Sequence, residues 1–139
     1  MRKALQQYQS VNLESDIESA SPYRITQMLL EGCLRFMKQA RFAIEKKDFE
    51  KKSHFISKSE AIVATLAASL DRDISPELSD NLARLYDFAI DRMISASLNM
   101  DIAALDEAIE IMTEIKTGWD AIPSDEIAKA SAIRASKNV

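Results

Sequence analysis

Twice in this chain a Ser-Pro pair heads a long segment whose apolar side chains recur every three or four positions. Ser21-Pro22 and Ser75-Pro76 each put an N-cap hydroxyl before a proline at the first helical position, where the missing N–H costs nothing. Each pair predicts the start of a long helix. Only two Gly and three Pro occur in 139 residues, and Ala, Leu, Ile, Glu and Lys dominate. Little material is left for turns, so the fold class that follows is all-α with short connections.

The helix predicted from Pro22 to about Lys47 carries more apolar surface than one packing seam uses. Ile25, Leu29, Cys33, Phe36, Ala40 and Ala43 form one stripe, and Leu30, Leu34 and Met37 form a second beside it, with Tyr23 near its start. Together they cover about 200° of the circumference, twice the ~100° typical of a surface helix. Asp48 can cap a second helix reaching about Leu70, with Phe55, Ile62, Leu66 and Leu70 on its core stripe and Ile56, Val63 and Ala67 widening it. The third, Pro76 to about Asn99, aligns Leu78, Leu82, Leu85, Tyr86, Ala89, Met93 and Ala96, flanked by Ile90 and Ile94. Asp101 can cap a fourth, which aligns Leu105, Ala108, Ile109, Met112, Ile115 and Trp119 and is ended by Pro123. Four such helices with short loops predict an antiparallel four-helix bundle. Residues 1–20 carry apolar side chains only at wide spacing, enough for a docked segment. Residues 123–139 read as a tail, frayed helix or disorder, with Ile127, Ala130 and Ile133 on one side.

Composition narrows the function classes. Hydrophobic content of 47% with 29% charged residues is that of a folded chain. Net charge is −4, and acids and bases read as interspersed, with Glu45-Lys46-Lys47-Asp48 and Glu50-Lys51-Lys52 forming a solvated helix junction. No clustered basic face calls for nucleic acid. No apolar run is long enough to span or enter a membrane, and Arg2-Lys3 lack the apolar stretch of a signal peptide. The expected location is the cytoplasm.

Chemistry finds little purchase. His54 is the sole histidine and has Lys51, not an acid, three residues before it, so no Glu-x-x-His metal motif exists. His54 and Cys33 together fall short of a zinc site. Cys33 lies within an apolar stripe, where a thiol behaves as a small hydrophobe. No glycine-rich segment cradles phosphate. The chain reads as a non-enzyme, with no catalytic residue, no metal and no cofactor. Gly32, in mid-helix, has two readings: tight approach of a neighbouring helix, or space for a bound partner. The internal methionines are either core filler or an adaptable binding surface. The wide apolar arcs themselves pack the bundle and the N-terminal segment, bury a homodimer seam, or receive a partner's helices in grooves.

The run Ser21-Pro22-Tyr23-Arg24-Ile25-Thr26-Gln27-Met28-Leu29-Leu30-Glu31-Gly32 resembles the signature of the flagellin-specific export chaperones, the FliS family. The likeness continues through Ala43–Asp48, Ser69-Leu70-Asp71, Asn81–Asp87 and Trp119, and Tyr8-Gln9-Ser10-Val11 is similar to that family's N-terminal tyrosine segment. Two departures stand out. Ile74-Ser75-Pro76 replaces a usual Gly-Gly pair, and Cys33 and Ser59 stand where a small Ala is usual.

The resemblance implies a bundle over residues 21–122 with a capping segment over residues 1–20. It also implies a cytosolic chaperone that binds the disordered C-terminal segment of flagellin, prevents early polymerisation and presents it to the cytoplasmic domain of the flagellar export gate protein. The expected flagellin groove draws on Ile25, Leu29, Leu34, Ile56, Val63, Leu66, Leu82, Leu85 and Tyr86, and the expected cap on Leu5, Tyr8 and Val11. The alternative is a self-associating helical adaptor, and a homodimer of the cargo-free chain is left open.

Overall fold

A computed structural model of the protein describes residues 21–71 and 75–137, and among these described residues five helices make up the regular structure. They are α1 (Pro22–Glu45), α2 (Phe49–Ala68), α3 (Pro76–Asn99), α4 (Ile102–Asp120) and α5 (Ser124–Lys137). Three of the four expected caps form with a side-chain hydrogen bond. Ser21 Oγ accepts from the Arg24 N–H at 3.2 Å, Asp48 Oδ1 from Lys51 at 3.1 Å, and Asp101 Oδ1 from Ala104 at 3.3 Å. Ser75 takes the N-cap position without a side-chain bond. There the loop is tied down from inside the helix instead, by Ser79 Oγ donating to the Asp71 carbonyl at 3.0 Å. α1 stops short of the expected Lys47 because Lys47 takes a left-handed conformation (φ 57°) that turns the chain directly into α2.

α1 to α4 form the bundle, each packed against its chain neighbours, with α4 closing on α1. Contacts at both ends set the antiparallel sense. Lys52, at the start of α2, donates from Nζ to the Ser97 carbonyl in the last turn of α3 at 2.8 Å, a cation placed on the negative end of that helix dipole. Arg41 near the end of α1 grips Asp106 near the start of α4 through Nε (2.7 Å) and Nη2 (3.3 Å). At the opposite end, Tyr23 and Trp119 stack with ring centroids 5.4 Å apart and planes 13° apart. Their polar tips are exchanged: Tyr23 Oη donates to the Trp119 carbonyl at 3.0 Å, and Trp119 Nε1 donates to the Tyr23 carbonyl at 3.1 Å.

The core runs down the bundle axis through Leu30, Cys33, Met37, Ile56, Val63, Leu66, Ala89, Met93, Leu105 and Met112. On α1 it is the second stripe, Leu30, Leu34 and Met37, that is buried together with Cys33, Ala40 and Ala43. Ile25, Leu29 and Phe36 from the first stripe are left partly uncovered. Gly32 is buried, yet a methyl added there would sit 3.7 Å from Arg35 Nη2 and 3.7 Å from Ile62 Cδ1, an ordinary contact distance. Close helix approach therefore does not require this glycine.

A candidate partner-binding cleft between α3 and α4

An apolar opening lies between α3 and α4, towards the end that holds the Tyr23–Trp119 pair. Leu78, Leu82 and Leu85 recur at i, i+4, i+7 on α3, and Ile111, Ile115, Gly118 and Ile122 at i, i+4, i+7, i+11 from α4. Facing each other across the seam, with Trp119 as a wall, they enclose about 330 Å³. Leu78 remains 55% exposed and Leu85 41%. A methyl built on Gly118 meets nothing within 4 Å, so the cleft has open space at this position.

A second cavity of about 190 Å³ adjoins it at the bundle end and shares Leu78, Leu82, Trp119 and Ile122. Leu66, Leu70 and Tyr86 also line it, and Ala130 of α5 reaches its edge. Burial drives the Tyr86 phenol up to about 12, with proximity to Cys33 adding to the shift. Gln27 Nε2 on α1 donates to Asp120 Oδ1 at the end of α4 at 2.6 Å. That bond, helped by Lys116, keeps the Asp120 carboxyl below its ordinary value.

The expected groove residues divide by position. Leu82 and Leu85 line the cleft, while Leu66 and Tyr86 form walls of the adjoining cavity although almost wholly buried. Ile25 and Leu29 lie partly uncovered on α1. Leu34, Ile56 and Val63 are core residues that line neither opening, because the side chains of neighbouring helices close over them. Leu5, Tyr8 and Val11 lie outside the described residues. Leu78, Ile111, Ile115, Gly118, Trp119 and Ile122 were absent from the expected groove. Leu78, Ile115 and Trp119 already sat on the apolar stripes of their helices, and the spacing Ile111, Ile115, Gly118, Ile122 is the signal that adds the others.

Among the described residues no three His, Cys, Asp or Glu side chains gather to hold a metal, and no helix is long and apolar enough to cross a membrane. His54 is exposed. Cys33 is fully buried, its Sγ 3.6 Å from Met37 Sδ and 3.9 Å from the Ser59 carbonyl, and burial pushes its thiol up to about 12. The two positions that depart from the resembled pattern thus meet each other across the α1–α2 seam.

A helical bundle with an apolar cleft open along one seam has the construction of a protein that holds another chain, and the comparisons agree. The sequence model of the family Flagellar protein FliS matches residues 4–126. The flagellar secretion chaperone FliSB of Pseudomonas aeruginosa is 38% identical over 120 residues, spanning 86% of this chain and 95% of its own. The flagellar secretion chaperone FliS of Vibrio cholerae is 34% identical, spanning 90% and 92%. A crystal structure of a bacterial flagellar chaperone superposes with a TM-score of 0.67 at 20% identity, covering 86% of this chain and 94% of that one, which shows the shared fold. The class is that of helical flagellar secretion chaperones. The chain belongs to the FliS family.

Proposed function

We propose that this chain binds the C-terminal segment of flagellin in the cytoplasm, prevents its early polymerisation and delivers it to the cytoplasmic domain of the export gate protein. The observation that carries the reading is the α3–α4 cleft with its adjoining cavity, apolar, open and lined at helical spacing from both sides. An amphipathic helix laid along such a seam presents anchors at i, i+3, i+4 and i+7. A segment that folds as it binds gives up about 2–5 kcal/mol to ordering. The contact must therefore extend well beyond the cleft, to more than about 2,000 Å² in total. Ile25 and Leu29 on α1 are further landing points. Leu5, Tyr8 and Val11 act as a removable cap that shields apolar surface until cargo arrives. The chain works without cofactor, metal or catalysis.

Mixing the chain with a flagellin C-terminal peptide should give a one-to-one complex by light scattering and a gain of helix by circular dichroism. Leu78→Glu combined with Leu85→Glu, at exposed positions that spare the core, should weaken binding by at least about tenfold. A peptide that neither gains helix nor forms a complex overturns the reading. A tight homodimer indifferent to the peptide would instead make the chain a self-associating adaptor.

A further inference from the structure

The α1–α2 hairpin concentrates positive charge that the chain as a whole conceals. Between residues 35 and 58 stand eight Lys and Arg against three Asp and Glu, whereas the rest of the chain holds ten against nineteen. The tight turn at Lys47 folds the end of α1 onto the start of α2, bringing Arg35, Lys38, Lys46 and Lys51 around one pocket of about 540 Å³. This is within the roughly 300–1,000 Å³ of ordinary binding pockets. Its floor is aromatic: Phe42, 60% exposed, and Phe55, which stacks on Phe36 with centroids 6.2 Å apart.

The cations here are unspent. Arg24, Arg41, Arg92, Lys116 and Lys129, none of which lines this pocket, each sit against a carboxylate. Arg35, Lys38, Lys46 and Lys51 have no carboxylate within ion-pair distance among the described residues. Instead Arg35 lies 5.5 Å from the centre of the Phe36 ring and Lys46 lies 5.4 Å from that of Phe42. The one acid lining the pocket, Asp48, is committed to capping α2. The pocket lies on α1 and α2 near the Arg41–Asp106 end, away from the cleft between α3 and α4.

We infer that this pocket is a second docking site, which takes an acidic peptide segment carrying an aromatic anchor from a partner protein while the cleft holds its cargo. Four unpaired cations around an apolar floor are complementary to carboxylates flanking a ring, and the ring gains cation–π contact as it enters. A nucleic acid fits less well. Its backbone would leave the small basic area for a surface on which acids outnumber bases almost two to one.

The probe is a short peptide of aspartates and glutamates around one tryptophan, titrated into the full chain by fluorescence anisotropy and by amide chemical shifts. Binding should map to residues 35–55 and weaken as salt is raised. Lys38→Glu with Lys46→Glu, or Phe42→Ala, should reduce it at least about tenfold, with thermal melting unchanged because all three positions lie outside the core. Leu78→Glu with Leu85→Glu should leave it intact, and the charge reversals should leave flagellin-peptide binding intact. The inference is overturned if a lysine-rich peptide with the same tryptophan binds equally well. It is equally overturned if shifts appear elsewhere, if a single-stranded oligonucleotide binds more tightly at the pocket, or if the charge reversals abolish flagellin-peptide binding.

Discussion

With no exposed surface, and Met37 Sδ and the Ser59 carbonyl beside its sulfur, the Cys33 thiol is pushed up to about 12 because burial penalises its thiolate. Its ordinary value is 9.0, so the unfolded chain releases this proton first as pH rises. The thiol's contribution to stability is whole below about pH 9 and is lost towards about pH 12, and Tyr86 adds a loss of the same sign from its ordinary 10.0. The urea midpoint should therefore fall with increasing pH over this range, and Cys33→Ala should shrink the fall, as denaturation curves at several pH values would show. At Gly32 a methyl fits at 3.7 Å from its neighbours. Gly32→Ala should accordingly raise stability by about 0.5–1 kcal/mol, read from the urea midpoint, since it removes unfolded-state entropy from a helical position.

At the scale of elements, polar clasps at the bundle ends decide which helix ends meet. Lys52 stays mostly buried because its ammonium lands on a carbonyl that the last turn of α3 leaves unpaired. Replacing it with Met keeps the stem and removes the charge-assisted bond, which should cost about 1.5–3 kcal/mol. The urea midpoint should drop while its slope is unchanged. Tyr23→Phe is a milder case. It keeps the stack on Trp119 and loses one hydrogen bond, so a cost of about 0.5–1.5 kcal/mol is expected in the same assay.

For the whole molecule, the α3–α4 cleft and the α1–α2 pocket lie on different helix pairs, so the cargo and the acidic segment proposed above would occupy separate surfaces. If residues 1–16 cap apolar surface, deleting them should raise binding of a hydrophobic dye and change affinity for the flagellin peptide. Wild-type values in both measurements would exclude the cap. Cleft and cavity were only half legible beforehand. Leu82, Leu85 and Tyr86 sat on a visible α3 stripe, but a single period describes both core and cleft positions when a helix is buried on two sides. Leu34, Ile56 and Val63 belong to equally good stripes, and the neighbouring helices cover them.

The four bundle helices, their starts and the all-helical class were determined by the sequence itself, because caps, prolines and a period near 3.6 act within a few residues of where they are written. The helix at Ser124–Lys137, read only as a tail of frayed helix or disorder, was not. A local reading of the sequence missed the charge asymmetry of residues 35–58, although the composition contains it, since cations four or more residues apart become one patch only when α1 folds back on α2. Tertiary structure alone decided which positions of the two α1 stripes became core. Leu30, Leu34 and Met37 are buried while Ile25 and Leu29 stay partly open, because a helix face is covered only where another helix lies against it. Periodicity specifies the face but not the neighbour.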